Sequence, residues 1–97
     1  METVLIVDDE EDLCRTLEKV LAKEGYRVVW TTAAASATEL TRRESPACLL
    51  LDLKLADTDG LSVLAQVREC DARLPVIMLT ARGDETDAAV EALGRRH

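Results

Sequence analysis

The sequence predicts an α/β fold, a doubly wound parallel sheet with helices on both faces. Short apolar runs alternate along the chain with amphipathic stretches of helical spacing. Three of the runs, residues 4–7, 48–51 and 76–79, are almost continuously apolar, as is typical of strands buried on both faces of a parallel sheet. Right-handed crossovers then place the helices on both sides of the sheet, so the order βαβαβαβα gives the doubly wound architecture.

The individual elements follow from periodicity and from helix and turn signals. Leu13, Leu17 and Leu21 recur at helical spacing, and Gly25 supplies a stop after them. Asp84 can cap the last helix. We predict strands at residues 4–7, 26–30, 47–51 and 76–79, and helices at about 10–24, 33–43, 61–71 and 84–93.

Composition limits the function. The chain has 97 residues and a net charge of −7, with 47% hydrophobic and 32% charged residues, which predicts one folded globular domain. Its aromatic residues are Tyr26 and Trp30, which do not form a stacking platform for bases. The excess of acidic residues also argues against binding to a phosphate backbone, so we expect no direct nucleic-acid binding by this segment.

The cysteines and the N-terminus indicate a cytoplasmic protein. Cys14, Cys48 and Cys70 are odd in number, widely spaced and set among apolar residues, so we expect small buried side chains in a reducing compartment. Neither a disulfide framework nor a zinc site fits this spacing. The N-terminus lacks the basic flank and apolar length of a signal peptide, and no run is long enough for a membrane span.

Acidic residues and one threonine follow the predicted strands. Asp8 and Asp9 come after the first strand, Asp52 ends the third, and Thr80 ends the fourth. Taken singly, each has an ordinary explanation: the Asp pair as a helix cap, Asp52 as a turn former, and Thr80 as a strand-end residue. Because ligands bind outside the carboxyl ends of parallel strands, the topology nevertheless places all of them at one rim.

Three carboxylates at one rim indicate a cation site. Two charges ~4 Å apart repel by roughly 4 kcal/mol at a partly screened dielectric, so the cluster either raises its pKa values or binds a cation. Oxygen ligands with vacant positions suit Mg²⁺, which can neutralise a phosphoryl group that approaches a carboxylate nucleophile. The segment 57–60 is instead a turn, because Leu55 and Gln66 occupy the first and last ligand positions of a calcium loop.

Several sequence blocks together resemble the receiver domains of bacterial two-component response regulators. The blocks are VLIVDDE at 4–10, LLDLKL at 50–55, DTDGL at 57–61 and LPVIMLTA at 74–81. The resemblance covers residues 3 to about 93. It implies the flavodoxin-like receiver fold with strand order 2-1-3-4, and a domain that catalyses its own phosphorylation without being an enzyme in the ordinary sense.

The resemblance also implies roles for individual residues. Asp52 is the phosphoacceptor, which receives the phosphoryl group from a phosphohistidine of the cognate histidine kinase. Asp9 ligates Mg²⁺ directly, together with Asp52 and the backbone carbonyl of Lys54, and Asp8 assists through water. Such a domain controls a downstream output.

Two further residues are implied to contact the phosphoryl group. The hydroxyl of Thr80 turns towards a phosphoryl oxygen and so reports phosphorylation. The backbone amide of Ala81 helps to hold the same group. Two departures from the family pattern, Ala56 in place of the usual Pro and Thr58 in place of a bulky apolar residue, are expected to loosen the loop after Asp52.

The C-terminal end departs more strongly. Typical receivers continue through a fifth strand and a fifth helix, with a phosphate-binding Lys and a switch aromatic, whereas this sequence reads GRRH at 94–97. We therefore predict a receiver domain over residues 1–97 that is incomplete at its C-terminus. The fourth strand is then a flat apolar edge, which predicts a marginal monomer, a homodimer or another strand-edge association, and weakened phosphorylation.

Two other functions compete with a working phospho-receiver. One is a truncated or degenerate receiver that acts only as a binding or association module, or is a non-functional fragment. The other is an unrelated aspartyl-phosphate phosphohydrolase. Those enzymes need a second Asp two residues after the nucleophile, and Lys54 occupies that position here.

Overall fold

The computed structural model describes residues 1–55 and 58–79, which form one parallel sheet flanked by helices. The strands are β1 (Thr3–Val7), β2 (Arg27–Thr31), β3 (Cys48–Asp52) and β4 (Val76–Leu79), and the helices are α1 (Glu11–Lys23), α2 (Ala37–Glu44) and α3 (Gly60–Cys70). The strand order is β2-β1-β3-β4, with every pairing parallel. This confirms the predicted fold class and strand order, and the described residues contain no fifth strand.

Two apolar clusters lie on opposite faces of the sheet. Because side chains alternate along a strand, β1 points Val4 and Ile6 towards α1, and Leu5 and Val7 towards α2 and α3. Every residue of β3 is buried, whereas three of the four residues of β4 are half-buried. The apolar runs of β1 and β3 therefore form the two central strands of the sheet. Because these strands are neighbours, their carboxyl ends lie side by side.

Helix α1 packs where the leucine spacing predicted it. Its first turn carries acidic residues and its last turn carries Lys23, an arrangement that complements the helix dipole. Gly25 ends it with a φ of +94°, a conformation that glycine adopts without strain. On its outer face the indole N–H of Trp30 donates to Glu18 Oε1 at 3.2 Å, and the guanidinium of Arg15 lies 5.6 Å from the centre of the indole ring.

Two predicted element boundaries were wrong for local reasons. The residues predicted as one helix at 33–43 form a 3₁₀ turn at Ala34–Ser36 followed by α2, and the Thr31 hydroxyl accepts from the Ala33 amide at 3.0 Å before this turn. The strand predicted at 26–30 begins one residue later. The amide of Tyr26 donates to Leu21 O at 3.1 Å and so completes the end of α1 instead of joining the sheet.

Some further predictions are confirmed only in part, and others concern features that the described residues do not test. Cys14 and Cys48 are buried as expected, but Cys70 is half-buried. The helix predicted at 84–93 lies outside the described residues. Within the described part of the chain, no helix has the length and apolar character needed to cross a bilayer. The predicted association through β4 stays a prediction.

Candidate metal centre

The parallel topology brings three acidic side chains together at the carboxyl end of the sheet. Val7 at the end of β1 pairs with Leu51 of β3, so the residues that follow them emerge side by side. One carboxylate oxygen each from Asp8, Asp9 and Asp52 lies within 4.8 Å of the others. The structure thus joins acids that are more than forty positions apart in the sequence. Thr80 and Ala81, the other two residues expected at this rim, lie outside the described residues.

Asp8 is the most enclosed member of the cluster, with 1% of its surface exposed. Its Oδ1 accepts from the amide of Glu10 at 2.8 Å. Its Oδ2 is buried and has no hydrogen-bond partner among the described residues. A buried carboxylate oxygen without a partner is costly, so a cation bound at this atom would stabilise the folded protein.

The backbone of Asp8 is anchored on two sides. Its amide donates to Thr31 O at 3.2 Å, which extends the pairing of β1 with β2 beyond the strand. Its carbonyl accepts a weak hydrogen bond from the thiol of Cys14 at 3.5 Å, in the buried layer beneath the rim. Asp8 is therefore held in place although its outer oxygen is unsatisfied.

The electrostatics of Asp8 reflect this position. The pKa of Asp8 is raised to about 6, chiefly by burial; the negative charges of Asp52, Asp9 and Glu10 contribute to the shift, and the hydrogen bond from the Glu10 amide opposes it. A cation at the cluster would reverse the effect of the neighbouring charges, because it favours the ionised carboxylate.

Asp52 ends β3 with 2% of its surface exposed. Its Oδ1 accepts from the amide of Lys54 at 3.1 Å, which fixes the rotation of the carboxylate. Burial raises the pKa of Asp52, the charge of Asp9 adds to the shift, and the Lys54 amide opposes it. Asp9 itself is exposed at the rim, so the cluster opens to solvent on that side.

The Lys54 main chain reaches Asp52, while the Lys54 side chain is exposed. Lys54 pairs with Asp59 in an isolated antiparallel bridge, and the amide of Leu55 donates to Thr58 O at 3.2 Å. The predicted turn at 57–60 therefore ends before Gly60, which is the first residue of α3. Asp59 caps that helix, with its Oδ1 accepting from the Ser62 amide at 2.7 Å.

The donor set fits a small hard cation. All the side-chain donors are carboxylate oxygens, which Mg²⁺ prefers, and ligands on opposite sides of Mg²⁺ are about 4.2 Å apart. That value is the largest separation in an octahedral site, and the three oxygens lie within 4.8 Å of one another, so small side-chain rotations would bring them to bonding distance of one ion. The unpartnered Oδ2 of Asp8 and the open side at Asp9 complete a site that can hold a cation and admit a further ligand.

Sequence reasoning missed two supports of this site. The thiol of Cys14 beneath Asp8 was expected only as core packing, although its position six residues after Asp8, in the first turn of the predicted helix, was visible. Gly60 was taken as a turn residue, yet it lies against the backbone of Asp52. A glycine that directly follows a helix cap is the signal that pointed to a close approach of two backbones.

Comparison with known proteins assigns the chain to a family. The model of the response regulator receiver domain matches residues 4–95. The chain is 40% identical over 84 residues to the transcriptional regulatory protein SrrA of Staphylococcus aureus, a match that covers 87% of this chain and 34% of SrrA. It thus spans about a third of the length of that curated relative.

Solved receiver structures agree with the same assignment. The non-phosphorylated receiver domain of HemR from Leptospira biflexa is 30% identical with a TM-score of 0.77, and the match covers 94% of this chain and 75% of that one. A CheY-like response regulator receiver domain protein from Methanospirillum hungatei JF-1 is 26% identical with a TM-score of 0.79, covering 91% of this chain and 71% of that one. The chain belongs to the response regulator receiver domain family of two-component signalling.

Proposed function

We propose that Asp52 accepts a phosphoryl group from a phosphohistidine of a cognate histidine kinase, in a Mg²⁺-dependent reaction that controls a downstream output. The observation that carries the proposal is the buried Oδ2 of Asp8, which has no partner in the described part of the chain and belongs to a carboxylate cluster that includes Asp52. A cluster built only for stability would satisfy that oxygen, whereas one that binds a cation leaves it free.

The metal ligands in this proposal come from both strand ends. The carboxylates of Asp8, Asp9 and Asp52 hold Mg²⁺, with Asp8 acting in part through water, and the backbone carbonyl of Lys54 adds a further ligand. When bound, Mg²⁺ supplies the positive charge that offsets repulsion between the acceptor carboxylate and the incoming phosphoryl oxygens.

The reaction forms one bond and breaks another. An oxygen of Asp52 bonds to phosphorus as the P–N bond of the phosphohistidine breaks, and the leaving imidazole takes up a proton from solvent. The hydrogen bond from the Lys54 amide to Oδ1 orients the carboxylate for this attack. In the same proposal the Thr80 hydroxyl and the Ala81 amide contact the phosphoryl group.

The proposal treats residues 1–97 as one receiver domain of a bacterial, cytoplasmic response regulator. Its partner is the kinase that carries the phosphohistidine. The buried Asp52 at the end of a central strand favours modification by a donor that enters from the open side at Asp9. Association between copies through β4 stays a secondary possibility that the oligomeric state of the purified chain would test.

Phosphorylation by a small donor tests the function without knowledge of the kinase. The protein is incubated with acetyl phosphate and Mg²⁺, and its intact mass is measured. We expect a gain of one phosphoryl group, removed by hydroxylamine and absent without Mg²⁺. Asp52→Asn should abolish the gain, and the matched substitution Asp12→Asn on the exposed face of α1 should not. An unmodified wild-type protein would contradict the proposal and favour a receiver that acts only as a binding module.

A further inference from the structure

We propose that Gly60 is a positioning residue of the acidic site: only a residue without a side chain lets α3 rest against the acceptor strand and hold Lys54 on Asp52. This inference rests on the proposed function, since it assigns a role to the loop that follows the acceptor. Gly60 touches neither metal nor phosphate in this role, and it acts through the backbone of its neighbours.

The space around Gly60 carries the inference. A Cβ built on Gly60 would lie 2.3 Å from the carbonyl oxygen of Asp52 and 2.8 Å from Cα of Leu53. Both atoms belong to the backbone, so no side-chain rotation can relieve the contact. Any other residue must therefore push α3 away from the end of β3 or distort that end.

Conformation does not explain this glycine. Gly25 has a φ of +94° and open space where its Cβ would be, so it is needed for its backbone angle. Gly60 lies in a helix with an ordinary φ. Glycine within helices is disfavoured relative to alanine by about 1 kcal/mol, so its presence at the start of α3 has a cause other than helix formation.

Gly60 also closes the loop that carries Lys54. Its amide donates to Leu53 O at 2.8 Å, directly beside the close backbone contact. Lys54 pairs with Asp59, and Leu55 donates to Thr58 O. The described parts of the loop, residues 53–55 and 58–60, thus run antiparallel and are joined at their base by Gly60.

The closed loop determines where the Lys54 amide points. That amide donates to Asp52 Oδ1 at 3.1 Å, and it does so two residues after the acceptor itself. If a side chain at position 60 displaces Leu53, the peptide of Lys54 moves with it, since the two residues are adjacent. The acceptor carboxylate then loses its orienting donor, and the Lys54 carbonyl loses its place in the proposed ligand set.

A purely structural role is the competing explanation. In that case Gly60 only packs α3 on the sheet, and its replacement lowers stability everywhere alike. A positioning role instead predicts a local change at Lys54 and Leu55 with the central strands intact. Amide hydrogen exchange separates the two, because it reports local and global opening residue by residue.

The experiment compares Gly60→Ala with Val67→Ala in the full chain, measured by NMR hydrogen exchange without metal and by calorimetric titration with Mg²⁺. Val67 is a fully buried residue of the same helix that lies in the α2–α3 core. In Gly60→Ala we expect protection at Lys54 and Leu55 to fall about tenfold or more relative to Leu5 of β1, and Mg²⁺ affinity to fall by about tenfold. In Val67→Ala protection should fall at all of these amides together, with Mg²⁺ affinity retained.

A second variant guards against failure of Gly60→Ala to fold. Asp59→Ala removes the cap on the Ser62 amide but leaves the close contact of Gly60 possible. It should lower protection at Lys54 by a smaller factor, about threefold, as the first turn of α3 frays. The proposal requires the start of α3 to hold Lys54, so protection at Lys54 that falls no more than protection at Leu5 of β1 would overturn it even if Gly60→Ala cannot be purified.

The outcomes distinguish this inference from the proposed function. Wild-type exchange and wild-type Mg²⁺ affinity in Gly60→Ala would overturn the inference alone, as would a uniform loss like that of Val67→Ala. If the wild-type chain binds no Mg²⁺, the proposed function fails, whereas exchange in the metal-free protein still decides whether Gly60 holds Lys54.

Discussion

The ends of β1 and β3 lie side by side, but they hold their acidic residues in different ways. At the end of β1, Asp8 keeps one buried oxygen that no described residue partners, and its pKa is raised to about 6, chiefly by burial. At the end of β3, Asp52 is equally enclosed and, like Asp8, accepts an amide hydrogen bond from the residue two positions on. It differs in that it borders a loop that is closed by backbone contacts. The end of β1 therefore carries a buried charge that is only partly compensated, whereas the loop after β3 fixes the orientation of the acceptor carboxylate.

This difference indicates that the β1 end serves mainly cation affinity and the β3 end mainly alignment of the acceptor. Unsatisfied charge lowers the stability of the metal-free protein, and cation binding returns that free energy as affinity. An orienting hydrogen bond costs little in the absence of ligand and helps to align the acceptor for reaction. Each of the following predictions tests whether the two ends differ in this way.

The largest effect is expected for Asp8→Asn. The neutral amide removes the buried charge, so the metal-free protein should gain about 2 kcal/mol in free energy of unfolding at pH 7. Mg²⁺ affinity should fall by about tenfold or more, because one charged ligand is lost. Urea denaturation and calorimetric titration measure the two effects, with Asp12→Asn on exposed α1 as the matched control. A loss of stability in Asp8→Asn would show that Asp8 is not strained by its burial.

The pH dependence of stability should follow from the same carboxyl group. The pKa of Asp8 is raised in the folded protein, so between about pH 4 and 6 the folded state binds more protons than the unfolded chain. The metal-free protein should therefore become more stable as the pH falls from 7 to 5. The gain is complete below the unfolded pKa of about 4 and is lost as the pH rises through about 6.

Two comparisons sharpen the pH experiment. Asp8→Asn should show a flatter dependence between pH 7 and 5, and wild-type Mg²⁺ affinity should fall over the same range, since protons compete with the cation. Arg27 lowers the pKa of Glu44. The stability that this ion pair contributes is therefore lost only when the pH falls below the ordinary pKa of a glutamate. A wild-type protein that loses stability between pH 7 and 5 would contradict the raised pKa of Asp8.

A smaller gain in stability is expected for Asp52→Asn. Burial also raises the pKa of Asp52, but the closed loop holds the Lys54 amide on its Oδ1, whereas the Oδ2 of Asp8 has no partner among the described residues. We therefore expect Asp52→Asn to stabilise the metal-free protein by less than Asp8→Asn does. Denaturation of both variants in one urea series gives the comparison. A larger gain for Asp52→Asn would reverse the proposed difference between the strand ends.

The smallest effect is expected for Lys54→Ala. Only the main chain of Lys54 contacts Asp52, and its side chain is exposed. Mg²⁺ affinity and the rate of modification by acetyl phosphate should stay within about twofold of wild type, the range of ordinary surface substitutions. A large loss would show that the β3 end, like the β1 end, works through a side-chain charge.

The sequence predicted the sheet well because its strands depend on local apolar runs. β4 has the predicted bounds, and β1 and β3 differ by one residue at one or both ends. The helix predicted at 33–43 forms, but its α-helical part starts only at Ala37, because the hydroxyl of Thr31 accepts from the backbone ahead of it and a 3₁₀ turn follows. Such a side-chain bond depends on geometry that apolar spacing does not encode.

The candidate site likewise has one part that the sequence predicted and one part that it did not. The meeting of Asp8, Asp9 and Asp52 followed from strand topology alone, because parallel strands end at one edge. The roles of Gly60 and of the Lys54 amide did not, since they depend on distances between backbones of different elements. Thr80 and Ala81, outside the described residues, stay predictions.

The thiol beneath Asp8 has a consequence for the chemical selectivity of the site. Burial, together with the nearby charge of Asp8, raises the pKa of Cys14 to about 12. At pH 7 only about one molecule in 10⁵ then carries a thiolate, the form that reacts with oxidants and binds soft metals. The sulfur atom of Cys14 thus lies one hydrogen bond from the main-chain carbonyl of Asp8 but would not compete for a cation at the carboxylates, so the site keeps the character of an oxygen-only ligand set.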